Sequence, residues 1–316
     1  MKTVVASAVL AVVVALPMHN ADAAVVSVEC GKRGSINAAI AKLDRSVANT
    51  LNVTGTCTEN VVVSGHRDLT IAGAGSAAVQ PANTAADTIA VNGSSRIVLQ
   101  NLAIAAGTTG VACDDRSACI LRTVSITGGT QGSLSLQKQS TADVQGSSLT
   151  NSQGTGIGVF GASSVNIGSD AAGTPTTISG HVNAEFGSGS GIFAQDGSFV
   201  RFDGGAITGN DTGAVGDRGA VLKLLGTQIS GNGGFGVWVR ASTLQIAGNV
   251  TNNGLDGIWA RRLGYVVFAG PTLATGNVGL SVRCDHVTSI TQPQNLFSSP
   301  VTMEPGRETN CPSTQL

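Results

Sequence analysis

"GVWVRASTLQIAGNVTNNGLDGIWARRLGYVVF" occupies Gly236–Phe268 and states one phrase twice. It holds both tryptophans of the chain, Trp238 and Trp259, 21 residues apart. Each is followed two positions later by an arginine, Arg240 and Arg261.

The phrase repeats on both sides. "GIFAQDGSFVRF" starts at Gly191, "GAVGDRGAVLKL" at Gly213, and "GLSVRCDHVTSI" at Gly279. With Gly236 and Gly257 the five starts are spaced 22, 23, 21 and 22 residues. Weaker copies begin at Gly110, Gly132 and Gly156, and residues 169–190 form an insertion before Gly191. A fixed period of this length is the signature of a stacked repeat.

Within each phrase the apolar residues alternate. Ile192, Ala194, Val200 and Phe202 point one way, and Phe193, Gln195, Phe199 and Arg201 the other. Alternation over so few residues is a strand pattern, not a helical one. A unit of about 22 residues cannot bury its apolar side alone, but a stack of such units can. Each strand then pairs in parallel with its equivalent one coil along, and inward residues form columns. One column is Ile192, Ala214, Val237, Ile258 and Leu280. A second is Val200, Leu222, Leu244 and Val266, and a third Phe202, Leu224, Ile246, Phe268 and Ile290. The expected fold is an all-β parallel β-helix. A leucine-rich repeat lacks its consensus here, and a β-propeller needs a longer period. At ~4.8 Å per coil, roughly ten coils make a rod about 50 Å long.

Composition agrees with a core of Val, Ile, Leu and Ala: aromatics are 3% and charged residues 12% of 316 residues, and the net charge is -1. The charged share of soluble domains is usually about 25%. No basic run points to nucleic acid. Residues 1–23 read as a signal peptide, with Lys2, the apolar stretch Val4–Leu16 and the cleavage site Ala21-Asp22-Ala23. The remaining 24–316 would be one periplasmic or secreted domain, monomeric and not spanning a membrane. Six cysteines fit an oxidising compartment. Three local pairs, Cys30–Cys57, Cys113–Cys119 and Cys284–Cys311, are the economical choice among the 15 pairings that six cysteines allow.

The open ends of a β-helix expose an apolar bore and unpaired edges. "SINAAIAKLDRSV" has Ser35 as a helix N-cap and Ile36, Ala39, Ile40, Leu43 and Val47 at helical spacing. It is expected to cap the N-terminal end within 24–50, ahead of coils 51–291. Residues 292–316 are expected to cap the other end.

That helix, followed by "GTCTENVVVSGHRDLTIAG" (Gly55–Gly73) and the repeating coils, resembles the secreted right-handed parallel β-helix proteins of the pectate-lyase-like superfamily. The resemblance covers nearly the whole mature chain and implies the right hand of the solenoid. The superfamily holds lyases, hydrolases, esterases and proteins without activity, so the fold does not settle function.

Stacking the phrases gives two outward columns: Phe193, Val215, Trp238, Trp259, Ser281, and Gln195, Asp217, Arg240, Arg261, Arg283. Asp196, Arg218 and Arg262 lie at the corner just beyond. Aromatic faces suit sugar rings, and arginine suits carboxylates. The columns therefore predict an acidic polysaccharide bound by Trp238, Trp259, Phe193, Arg262, Arg283 and Asp196. The opposing explanation is an aromatic and Arg–Trp ladder that only stabilises the rod.

Pectate lyases, by the same resemblance, hold calcium with carboxylates and use an arginine as base. The candidates here are Arg240 or Arg261 with Asp217, and a polysaccharide lyase is the implied activity. An ordinary arginine stays protonated, and the carboxylates Asp196, Asp217 and Asp256 are few for a calcium cage. The "GDD", "GHG" and "RIK" elements of polygalacturonases and the Asp-Pro-His of epimerases are absent. His181 and Glu185 lie in the insertion, where a lone histidine is expected to be polar surface. Tyr265 is expected to pack. Asn210, Asn232, Asn253 and Asn277 are expected at left-handed corners, bonded to their stacked equivalents. The rival reading is a non-catalytic structural or adhesive envelope protein.

Overall fold

A computed structural model describes residues 23–183, 189–285, 289–291 and 301–303. For the last two segments only the backbone is considered. All but the last residue of the expected signal peptide 1–23, Glu185, Cys311 and, apart from 301–303, the expected C-terminal cap 292–316 lie outside the described residues.

The chain is a parallel β-solenoid. Ten short strands, from Val61–Ser64 to Val282–Asp285, stack in strict chain order in one sheet. The other strands, two per coil or one long bent one, stack in a twenty-stranded sheet. Each strand pairs in parallel with its equivalent one coil away, as Phe199–Asp203 does with Val221–Ser230. A single coil has no partner for its backbone groups or its inward side chains. Both are satisfied only by the neighbouring coils.

The columns fill the bore. Ile192 aligns with Ala214, then Val237, then Ile258, and all four are buried. Val200, Leu222, Leu244 and Val266 align in the same way, as do Phe202, Leu224, Ile246 and Phe268. The last coil departs from the expectation by two residues. Ile258 pairs with Val282, not Leu280, and Val266 pairs with Ile290, which therefore joins the second column rather than the third. The two extra residues enter upstream, where the register moves from Ile246↔Phe268 to Gly248↔Thr272 around Gly270-Pro271. Proline cannot donate to a strand ladder, so a bulge is where it fits.

Polar side chains hold the corners. Asn210, Asn232, Asn253 and Asn277 are buried, and each of the first three donates its backbone N–H and its Nδ2 to the Oδ1 of the next. Their expected left-handed conformation belongs instead to the residue before each: Gly209, Gly231, Asn252 and Gly276 have φ of 65°, 64°, 56° and 69°. The kink precedes the ladder, which leaves the asparagine free to align. Ser94, Ser117, Ser140 and Ser163 form a second ladder, each of the first three donating its backbone N–H to Oγ of the next.

At the N-terminal end the helix is shorter than expected. It spans Ile36–Ile40, with Ser35 Oγ accepting from Ala38 N at 3.1 Å. Glu59, one coil away, accepts from Ile36 N and Asn37 N, satisfying donors the helix itself cannot. Asp44 then receives the backbone N–H and hydroxyl of Ser46, a local turn that competes with continuation toward Val47. A cap helix of the expected length is not present. Cys30–Cys57 and Cys113–Cys119 are disulfides. Cys284 is not free, and its expected partner Cys311 lies outside the described residues.

Candidate functional site

Outward residues of the ten-stranded sheet form the site. Phe193, Val215, Trp238 and Trp259 align in one column, and Asp217, Arg240 and Arg261 in the next. The two-residue shift alters the final coil. Trp259 faces Arg283, and Arg261 faces Asp285; Ser281 is buried and drops out of the column.

The two indoles stack at 5.5 Å between centroids with 14° between planes. Strands of neighbouring coils lie about 4.8 Å apart, so rings stacked at this distance present their faces along the rod. Arg240 lies 5.8 Å over Trp238, and Arg261 and Arg283 lie 4.8 Å and 5.4 Å over Trp259. Trp259 Nε1 donates to Asp285 Oδ2 at 2.8 Å, and Arg283 reaches Asp285 at 3.4 Å and Asp256 at 3.6 Å. Asp256 is buried and also accepts from Leu280 N. Much of the indole π-surface is therefore used within the protein.

The charges divide sharply. Asp217 is buried and paired through both oxygens with Arg240 Nε and Nη2. Hydrogen bonding from Arg240, outweighing burial, holds the Asp217 carboxyl below the usual carboxylate range, and the same bond pushes the Arg240 guanidinium up. A proton acceptor would need the opposite shift. Asp196 and Arg218 close a second two-point pair at the exposed corner, away from the indoles. Arg262 is exposed at the corner. Phe193 sits two coils from Trp238 and packs 5.9 Å from Phe160.

Arg261 differs from its neighbours. Among the described residues it forms no ion pair, and its Nε is a buried donor without a partner. Trp238 Nε1 is another. Both residues line a cleft of about 720 Å³, with Trp259, Phe235 and Leu255 as its apolar surface and Asn183 and Asp211 on the side of the insertion. Phe235 lies 4.7 Å from Trp259 and 6.2 Å from Trp238. Gly233 leaves room at the corner, and Gly234 lets its backbone approach Asp211 O, which an added Cβ would meet at 2.7 Å. Sequence reading missed Phe235, Leu255, Asn183 and Asp211. The run "GNGGF" was the available signal, since two adjacent glycines after a ladder asparagine mark an open corner.

His181 is not polar surface. It is buried within the asparagine ladder, where its N–H donates to Asn210 Oδ1, its Nδ1 meets Ser152 Oγ at 2.6 Å, and its Nε2 meets Leu149 O at 3.0 Å. Burial pushes it down to about 4. Tyr265 opens a strand of the other sheet and is half-buried. Among the described residues the metal-type cluster is Cys30, Cys57 and Glu59, whose sulfurs form the disulfide and whose carboxylate serves the helix.

Three parallel strand positions per coil, stacked without crossover, define a parallel β-helix. No family model and no curated protein matches the chain. Among solved structures it is similar to a protein of Geobacillus virus E2, at 11% identity and a TM-score of 0.42, covering 86% of this chain and 60% of that one. It is similar to a surface adhesin of Streptococcus pneumoniae at 9% identity and 0.40, covering 90% and 93%. It is also similar to a pectate lyase of a Bacillus species, in complex with trigalacturonate, at 10% identity and 0.34, covering 92% and 80%. Likenesses of this size carry no functional inference. Among the described residues no helix is long and apolar enough to cross a membrane.

Proposed function

We propose that this protein binds an acidic polysaccharide in the cleft beside Trp238 and Trp259. The observation that carries the reading is the pair of unpartnered buried donors, Arg261 Nε and Trp238 Nε1, at one apolar cleft. Buried donors without partners are rare in folded proteins. A ligand carboxylate is the group that suits a guanidinium, while Phe235, Leu255 and the indole edges suit the apolar side of a sugar ring. Phe193, Asp196, Arg262 and Arg283 take lesser places: Arg283 orders Trp259, and the other three border the face. Two disulfides in the described chain favour a periplasmic or secreted location. Burial of Ile36 and Ile40 in the core cluster supports a plugging role for the short N-terminal helix.

If the bound polymer is also cleaved by β-elimination, Arg261 is the remaining base, because Arg240 and Asp217 neutralise each other. Calcium would have to come with the ligand's own carboxylates. The coverage of indole faces by Trp, Phe and Arg favours the second reading, a non-catalytic envelope rod.

The test is calorimetric titration with polygalacturonate and alginate, with and without calcium, alongside ultraviolet detection of unsaturated uronate product. Binding that falls about tenfold or more in Arg261→Ala supports the reading. Binding unchanged in that variant, or none to any uronate polymer, sinks it in favour of the rod.

A further inference from the structure

Three to four strands toward the N-terminus from the tryptophans, the same sheet carries a different hollow. Its outward central column consists of small residues, Ala112, Ser135 and Gly158, before Phe193 begins the aromatic run. The missing side chain at Gly158 is filled by a neighbour. A Cβ built there would stand 2.6 Å from Cε2 of Phe160, so the phenyl ring lies back over the sheet. Gln137 and Gln195 occupy the positions equivalent to Phe160 one coil before and one coil after, since all three follow directly on the aligned strand residues Leu136, Val159 and Ala194. The result is a notch of about 370 Å³ lined by Thr109, Gln131, Ser135, Gln137, Phe160 and Gln195 among others.

The chemistry of the notch is uncharged throughout. None of its lining residues is ionisable, and the nearby Lys138 and Asp114 close on each other at 2.7 Å. A carboxamide offers a donor pair and an acceptor on one rigid plane, which matches adjacent hydroxyls that each give and take a hydrogen bond. A phenyl ring flanked by two such carboxamides, with the Ser135 hydroxyl alongside, matches the mixed faces of a pyranose. A carboxylate would find no cation, and an apolar ligand would strand the amides without partners. The volume falls within the usual range for small-molecule sites, about 300–1,000 Å³.

We propose that this notch is a second saccharide site, selective for a neutral pyranose unit. Phe160 stacks on the sugar, and Gln137, Gln195 and Ser135 bond its hydroxyls. At ~4.8 Å per coil it lies about 14–19 Å from the tryptophan cleft. It does not depend on that cleft binding a uronate.

The experiment is saturation-transfer NMR and calorimetry of the whole protein with neutral tetrasaccharides of gluco, galacto and manno configuration. The variants are Phe160→Ala, Gln195→Ala and Arg261→Ala. At least one neutral tetrasaccharide is expected to bind, with affinity lowered about tenfold in Phe160→Ala and in Gln195→Ala and unchanged in Arg261→Ala. Gln195→Ala alters only a side chain at the surface, so it keeps the test valid if Phe160→Ala proves unstable. No binding by any of the three sugars overturns the proposal. So does binding that survives in Gln195→Ala, or binding lost in Arg261→Ala, which would place the sugar in the tryptophan cleft. Uronate polymers run in parallel report on the acidic reading separately.

Discussion

Arg240 and Asp217, directly opposite each other on adjacent coils, form a two-point ion pair whose carboxylate side chain is 5% exposed and whose guanidinium is 33% exposed. The pair ties two coils together across the ten-stranded sheet. It also removes both groups from chemistry, since each is neutralised by the other. Asp217→Asn is expected to lower stability by about 2 kcal/mol at neutral pH, because it takes the charge from a hydrogen-bonded, largely buried partner. The carboxyl is held below its unfolded value. Its contribution is thus complete above the ordinary aspartate value, about 3.9, and is lost as pH falls through the folded value. Urea unfolding at pH 7 and at pH 3 checks this: the gap between parent and variant should be smaller at the lower pH.

A second pH response lies at higher pH and has the histidine sign. His181 is pushed down to about 4 by burial, whereas unfolded histidine titrates near 6.5. Below 6.5 the unfolded chain takes up a proton that the folded ladder refuses. Stability therefore falls between about 6.5 and 4, by about 3 kcal/mol at most, and then levels. His181→Asn should remove this component and retain the fold, because asparagine fills the next four ladder positions. His181→Ala should cost about 1–3 kcal/mol at neutral pH by orphaning the Ser152 N–H, and this cost should shrink as pH falls below about 6.5, where the histidine itself destabilises the fold. His66 is also pushed down, by burial and then by Arg45, so the informative quantity is the difference between parent and His181→Asn. Equal pH slopes for the two would refute the assignment.

The stacked tryptophans predict a measurable coupling. A double-mutant cycle on Trp238→Ala and Trp259→Ala should give about 1 kcal/mol between them. Trp259→Ala should be the more damaging alone, because it also releases Asp285 and the faces held by Arg261 and Arg283. Acrylamide should quench the native emission only partly, since both rings are half-buried. A coupling near zero would mean that the ladder contributes no stability and would strengthen the ligand-platform view.

How far the sequence could be read follows from what repeats in it. Val237 and Ile258 stand in register because every coil must place an apolar residue there, so period and alternation show the solenoid directly. The final register was hidden by an imitation. Gly279 looks like the strand-leading glycines Gly236 and Gly257, yet Ser281 takes that place, and Asp285 thereby reaches Trp259. His181 was hidden because one histidine replaces an asparagine in a ladder that otherwise announces itself. The cleft was half legible. Asp211, Gly234 and Leu255 stand one repeat apart, each two residues before Gly213, Gly236 and Gly257, so the period aligns them, whereas Asn183 comes from the insertion, which the period does not place.

Two glycines permit the sharpest separation of fold from site. At Gly233 the backbone lies outside the left-handed region, and an added Cβ would meet only Asn210 O, at 3.9 Å. A side chain there adds bulk where the cleft is open. At Gly236 an added Cβ would meet Gly257 O at 2.5 Å and Val250 Cγ1 at 2.5 Å, both held by the stack. Gly233→Gln should therefore unfold at the parental temperature and lose uronate binding about tenfold or more. Gly236→Ala should cost about 1–3 kcal/mol through overpacking. Thermal melts and calorimetric titration of the two variants decide the matter. Full binding by a stable Gly233→Gln would show that no ligand enters beside Trp238, and the tryptophans would then be part of the rod's packing.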